Sequence, residues 1–384
     1  MYLVNHKLNI NNILIILLFT FVSMATALFG ISNHNNKPGD QLCTCFVYSW
    51  VKFEIKTPTN FQMSSKNLMV IDCDAGVDDA HAIMVALSSN LDAEVLAITC
   101  VKGNVHVDKV WYNVHRVLDA CDKKEIPVYQ GAASALLMPT PEADFHGKDG
   151  LGDAPHAKLT IHPDHHRAEH AVDMLISLAN KHPGLISLIA IGPLTNLALA
   201  ERMDPGFSSK LKAVYIMGGN MHGKGNVTPT AEFNFHQDPE AAYIVLETFQ
   251  CQVYLLTWEL TLATEVTLNC FKDLLKMDTK RSNFLKDISK KSYDIMADKE
   301  LRPQFGCIES DGWNCCDALA SAVAIDPSII TDSKSCPCSI SLAGVTRGQL
   351  IVDWNGFWGD KSKRTVIMNV NMERYKEILT NSVL

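Results

Sequence analysis

The sequence predicts an α/β fold: a single domain with a mostly parallel central β-sheet flanked by helices. Three observations carry this. Short apolar, β-rich runs alternate with longer segments of helical period. The runs lack the apolar and polar alternation of a sheet with one wet face, so their strands are buried on both sides. Polar clusters follow directly after them, where parallel sheets place their ligands.

In chain order, Leu68 to Ile71, Val95 to Val101, Leu185 to Ile191, Leu211 to Met217, Gln252 to Trp258 and Ser339 to Val345 read as strands. Between them, Ala80 to Ser88, Val105 to Ala120, Ala168 to Lys181, Pro239 to Phe249 and Cys316 to Ala324 read as helices. Several of these open on Asp, Asn or Pro, as a first turn prefers. No internal repeat or low-complexity tract interrupts the pattern.

With 384 residues, 47% of them hydrophobic, the chain can bury a full core, which excludes disorder and a minimal disulfide scaffold. The formal charge of -8 leaves no cationic surplus for phosphates, so nucleic acid is excluded as a partner. Most of the 12 cysteines sit in apolar runs, such as Ile71 to Cys73, and read as reduced and buried.

The first 66 residues stand apart from this pattern. Ile13 to Gly30 is almost uncharged and apolar, with Lys7 before it and Ala25 and Ala27 near its end. That is the layout of a secretory signal peptide, with an uncleaved membrane anchor as the second reading. Residues 31–66 read as a linker, and initiation at Met63 would instead give a cytoplasmic enzyme. The sequon Asn226-Val227-Thr228 favours the cytoplasm mildly, because it falls in a candidate site that a glycan would block.

Four polar clusters carry the chemistry. The first, Asp72-Cys73-Asp74-Ala75-Gly76-Val77-Asp78-Asp79, sets four carboxylates at a strand end, where a divalent cation relieves their repulsion. A helix N-terminus explains Asp78 and Asp79 but not Asp72 and Asp74. An EF-hand is excluded, since loop positions six and twelve are Val77 and Ile83. A Mg²⁺-dependent Asp-x-Asp phosphatase stays open as a rival.

The second cluster, Lys102-Gly103-Asn104, and the third, Gly192-Pro193-Leu194-Thr195-Asn196, are strand-to-helix turns that also read as ordinary caps. The fourth runs from Met217-Gly218-Gly219-Asn220 through Asn226 to Glu232-Phe233-Asn234, rich in amides that suit a polyhydroxylated ligand. Far down the chain, Cys315-Cys316-Asp317 opens an apolar helix. Asp317 either caps that helix or closes a cation site opened by Asp74 and Asp79.

Together these motifs resemble the inosine-uridine preferring nucleoside hydrolases. The string Asp72 to Asp79 is similar to their D-T-D-P-G-x-D-D signature, with Cys73 and Ala75 in place of Thr and Pro. Gly103-Asn104-Val105, Pro127-Val128-Tyr129, His146-Gly147-x-Asp149-Gly150, the Thr195 turn and Glu232-Phe233-Asn234 follow in the family's order, over roughly residues 67–375. The resemblance implies a Rossmann-like nucleoside hydrolase fold over residues 67–384 and hydrolysis of the N-glycosidic bond of a ribonucleoside.

It also implies a bound Ca²⁺ and assembly as a homo-oligomer, a dimer or tetramer. Asp74 is then the general base, with Asp74, Asp79, Asp317 and the carbonyl of Thr195 as metal ligands. Asp78, Asn104, Met217, Asn226, Glu232, Asn234 and Asp317 hold the ribose, while Asp72 supports them from behind. Cys316 stands where family members carry His, the leaving-group acid, or Trp, and defines a Cys-containing subgroup. A thiol is a poorer acid than imidazolium, so His146 and His236 enter as further candidates. A degenerate ribose-binding protein is the non-enzymatic alternative.

Overall fold

The first apolar run becomes β1 (Asn67–Cys73), and its two neighbours set the architecture. It pairs in parallel with β2 (Ala93–Cys100) on one side and β4 (Ile186–Ala190) on the other. Beyond them lie β3 (Val128–Gln130), β5 (Ala213–Met217) and β6 (Gln252–Leu256), and the parallel order runs β3-β2-β1-β4-β5-β6. The chain winds outward one way from β1 and then the other way from β4. This doubly wound order leaves a crevice above the carboxyl ends of β1 and β4.

The computed structural model describes residues 66–384, apart from 89–91, 155–158, 160, 162–166 and 306–311. The apolar segment Ile13 to Gly30, the linker up to residue 65 and Met63 lie outside the described residues. Among the described residues no helix is long and apolar enough to cross a membrane. All elements named here belong to the compact unit Ser65–Leu384.

Helices cover both faces of the sheet. Met69, Ile71 and Cys73 of β1 pack toward α1 (Val77–Ala86), α2 (Val107–Ala120), α9 (Lys280–Ala297), α10 (Cys316–Ile325) and α11 (Met372–Ser382). Val70 points the other way, toward α3 (Ala171–Lys181), α4 (Thr195–Met203) and α6 (Pro239–Thr248). The strand's period of two thus divides it between two cores. Helix α1 is buried over nearly its whole circumference, which fits a body after Asp79 that is apolar except for His81, whose ring nitrogen pairs with Ser382 Oγ.

The remaining elements are α5 (Phe233–Gln237), α7 (Trp258–Ala263), α8 (Leu268–Leu274), β7 (Ile330–Ile340), β8 (Leu350–Val352) and β9 (Lys363–Val370). β9 joins β6 in parallel, and β7 and β8 add an antiparallel margin. The strand expected at Ser339 to Val345 is corrected here: β7 ends at Ile340, and Val345 is exposed. Its first half, Thr331 to Ser335, is polar because it lies exposed along β9, so no apolar run announces it. The helix expected from Val105 starts at Val107 with His106 as its cap, so Asn104 is not a cap.

Helix α11 holds α10 in place. The buried Tyr375 hydroxyl donates to the carbonyl of Cys315, at 2.9 Å, one residue before α10 begins. Tyr375→Phe removes that bond and leaves the carbonyl with only its helical partner, the Leu319 N–H, which should cost about 0.5–1.5 kcal/mol, read as a lower midpoint in urea unfolding; an unchanged midpoint would show that the bond contributes nothing.

Candidate active site

Above the crevice is a cavity of about 510 Å³. Its wall brings together Asp74, Asp78, Asn104, Met217, Asn226, Glu232, Asn234, Cys316 and Asp317. These nine come from six separate segments of chain, and each was singled out by motif. Asp79 lies just behind the wall, and Thr195 is not part of it.

Asp74 follows β1 and is 1% exposed. Its Oδ2 accepts the Asn104 backbone N–H at 2.7 Å, which fixes one oxygen and leaves the other for the cavity. Gly103 permits this approach: a Cβ there would lie 2.0 Å from Asp74 Oδ2. The next residue, Ala75, has φ 47°, so the turn takes a conformation closed to proline and departs from the family's Pro. Asp79 then accepts from the N–H of Asp74 at 3.1 Å and of Gly76 at 2.7 Å, tying the turn to the start of α1.

Asp72 does not reach the cavity. Its Oδ2 accepts from Thr99 Oγ1 at 2.6 Å and Asn196 Nδ2 at 2.8 Å, and it joins the ends of β1, β2 and α4. That matches the supporting role expected for it and removes it as a phosphatase nucleophile.

Thr195 is a correction to the expected ligand set. As the first residue of α4 it commits its carbonyl to the helical ladder, and its hydroxyl donates to Asp238 Oδ2 at 2.7 Å. The carbonyl that this turn does present is that of Ile191, in the cavity wall, where it accepts from Asn234 Nδ2 at 3.1 Å. Residue spacing alone could not separate the two carbonyls of one turn.

On the far side, Glu232 caps α5, accepting from the N–H groups of Asn234, Phe235 and Gly219. Asn234 gives its amide N–H donors to the carbonyls of Ile191 and Met217, both at 3.1 Å, so its oxygen is the atom left for a ligand. Asn226 Oδ1 is buried with no hydrogen-bond partner among the described residues. At the start of α10, Cys316 Sγ donates to Asp78 Oδ2 at 3.0 Å. His146 Nε2 stands 3.4 Å from the other Asp78 oxygen, while its Nδ1 accepts the Val77 N–H at 3.3 Å. His236 lies outside the cavity.

Sequence reasoning missed the rest of the wall: Trp258, Trp313, Phe145, Met296, Glu265 and Asn314. Trp313 stacks on Phe271 with ring centroids 4.0 Å apart. Trp258 and Met296 lie on α7 and α9, Glu265 follows α7, Trp313 and Asn314 precede α10, and Phe145 lies between β3 and α3, all away from the strand ends that guided the motif search.

The electrostatics are one-sided. Asp74, Asp78, Asp144, Glu232, Glu265 and Asp317 line the cavity, and among the described residues no Lys or Arg does. Burial, with a smaller contribution from the Asp78 charge, pushes Asp74 up to about 7, and burial pushes Glu232 up to about 7. Asp79 and Asp317 are pushed well above the usual carboxylate range by burial, and then by neighbouring carboxylates. Asp317 is 2% exposed, and its carboxylate has no hydrogen bond among the described residues. Such a set of hard oxygens, desolvated and mutually repelling, fits a divalent cation.

The profile of the family described as inosine-uridine preferring nucleoside hydrolase matches residues 69–377. The chain belongs to this family. Its relatives include the inosine-uridine preferring nucleoside hydrolase of Leishmania major, 34% identical over 74% of this chain and 87% of that one. A probable uridine nucleosidase 2 of Oryza sativa subsp. japonica is 37% identical over 58% of this chain and 65% of its own length. The solved structure of an inosine-guanosine nucleoside hydrolase superposes with a TM-score of 0.73 at 32% identity, covering 83% of this chain and 98% of that one. Family and fold together make the chain an N-glycosyl hydrolase of ribonucleosides.

The raised carboxylates have a consequence for stability. Folded groups that hold protons more tightly than unfolded ones lose their stabilising contribution as pH rises, here from about 4 to about 7. A divalent cation binds the ionised form and offsets that loss. Chelated protein should therefore show a Tm that falls over this window more steeply than cation-loaded protein does; equal slopes by scanning calorimetry would count against cation binding.

Proposed function

We propose that the chain hydrolyses ribonucleosides with Ca²⁺ in the cavity and Asp74 as general base. The observation that carries this is Asp74 itself: a carboxylate at the crevice, one oxygen fixed by Asn104 and the other facing the cavity, beside Asp79 and Asp317. Asp74, Asp79, Asp317 and the Ile191 carbonyl are the atoms suited to hold the ion. When bound, calcium supplies the charge that acidifies the attacking water and gathers the sugar hydroxyls.

The chain's own groups do the rest. Asp74 takes the proton from water. Asp78, through its carboxylate, and Asn234, through its free amide oxygen, accept hydrogen bonds from the ribose hydroxyls. Asn104, Met217, Asn226 and Glu232 complete the sugar side of the wall. Positive charge that develops on the sugar as the base departs is favoured by the surrounding carboxylates. The aromatic side of the cavity, with Trp258 and Trp313, suits a planar base.

The same charge distribution disfavours the phosphatase reading. A phosphate monoester would enter a wall of carboxylates with no Lys or Arg among its described residues to receive it. Asp74→Ala should reduce kcat on inosine and uridine by at least about a thousandfold while circular dichroism stays that of the folded protein, and nucleoside 5′-monophosphates should not be turned over. Wild-type rates in Asp74→Ala, or release of phosphate, would overturn the assignment.

Leaving-group protonation falls to His146 in this reading. The thiol proton of Cys316 is engaged by Asp78. The Val77 N–H occupies Nδ1 of His146, so its Nε2 carries the proton at the cavity wall. Cys316 then acts through Asp78, as a positioning residue. His146→Ala should lower kcat on inosine by about 100-fold or more and spare p-nitrophenyl riboside, whose leaving group needs no acid; equal losses on both would remove His146 from that role. Export through the Ile13 to Gly30 segment and assembly of copies of this chain are also proposed, from the sequence and the resemblance alone.

A further inference from the structure

We propose that Asp78, Cys316 and Asp317 form a binding site for a thiophilic divalent cation, zinc being the member of that class to which the donors are best matched. The three offer one sulfur and two carboxylate oxygens that lie within 4.8 Å of one another. Sγ and the Asp78 oxygen are already 3.0 Å apart. All three residues line the cavity, so a fourth position is open to water or a small ligand, as in zinc sites with three protein donors.

Two features set this trio apart from an ordinary acidic cluster. Asp317 is an almost fully buried carboxylate with no hydrogen bond among the described residues, and it faces the cavity. His146 Nε2 stands 3.4 Å from one Asp78 oxygen, and the Cys316 thiol takes the other. Cys316 and Asp317 are adjacent in the first turn of α10, so one rigid element carries two of the donors.

Donor chemistry decides the class of ion. Calcium takes oxygen ligands, whereas a thiolate selects zinc or cadmium. On binding, the Cys316 S–H bond breaks, a sulfur-to-metal bond forms, and the proton leaves to solvent, with no change of oxidation state. Asp317 is shared with the proposed calcium set, and Asp78 with the ribose set. Occupancy therefore withdraws both from catalysis and inhibits the enzyme. That inhibitory consequence rests on the catalytic reading above; the metal site itself does not.

The test uses the folded, chelator-treated full chain titrated with cadmium chloride, read as the ultraviolet thiolate-to-cadmium charge-transfer absorption. A band that saturates at one equivalent is expected, lost in Cys316→Ala and retained in Cys315→Ala, whose thiol does not line the cavity. Asp317→Asn should weaken binding by at least about tenfold, and zinc should displace cadmium and inhibit inosine hydrolysis in the wild type. Asp78→Asn serves as a second test if Cys316→Ala does not fold. A band unchanged in Cys316→Ala, or no saturable band in an active enzyme, overturns the metal site and leaves the hydrolase reading intact. A Cys316-dependent band in a protein without nucleoside hydrolysis supports the metal site and sinks the catalytic reading instead.

Discussion

The structure depends on a cluster of carboxylates held out of water at the switch point of a parallel sheet. Asp74, Asp79, Asp317 and Glu232 are all nearly inaccessible to solvent, and among the described residues no Lys or Arg lines the cavity. A fold would not place them so without compensation, since isolated buried charge is among the costliest features a protein can carry. Backbone amides supply part of it: three N–H groups serve Glu232, two serve Asp79 and one serves Asp74. Asp317 receives no such bond among the described residues, and its burial beside other carboxylates favours a proton or a cation there.

The surrounding framework follows from that requirement. Gly103 has no side chain because one would collide with Asp74, and a Cβ at Gly192 would lie 3.0 Å from the Asp74 amide nitrogen. Asp72 and Asn196, from β1 and α4, bind the neighbouring strand ends together below the carboxylates. Tyr375 fixes the start of α10, which carries Cys316 and Asp317. Lys102, half-buried beside Asp74, instead spends its amine on Thr140 and Gln237 and pins a loop across the sheet end. The elements that look structural are therefore the ones that hold the charged groups at fixed separation.

How much of this was legible in the sequence varied with the origin of each residue. Residues at carboxyl ends of buried strands were legible, because an apolar run followed by Asp, Asn or Gly marks both the strand and the turn; Asp74, Asn104 and Met217 were found this way. The base side of the cavity was not. Trp258, Trp313 and Met296 look like core residues, and their membership depends on how α7, α9 and α10 pack, which no local period records. Thr195 shows the limit within a motif: a turn offers several carbonyls, and only the backbone path decides that Ile191 faces the cavity. The polar first half of β7 was lost for a similar reason, as it lies at the sheet's antiparallel margin and lacks the signature of a buried strand.

Cys316 joins these threads. Viewed as a sequence position, it is a weak acid where a stronger one is expected. The structure gives its thiol a different partner, since Sγ donates to Asp78 on the sugar side of the cavity. A proton held there is poorly placed to reach a base on the aromatic side. His146 approaches the same carboxylate from the other oxygen, with its ring nitrogens distinguished by the Val77 N–H. Asp78 thus stands between the Cys316 thiol on one oxygen and the His146 imidazole on the other. A thiol at the head of α10 also places a sulfur donor in a cluster otherwise made of oxygen.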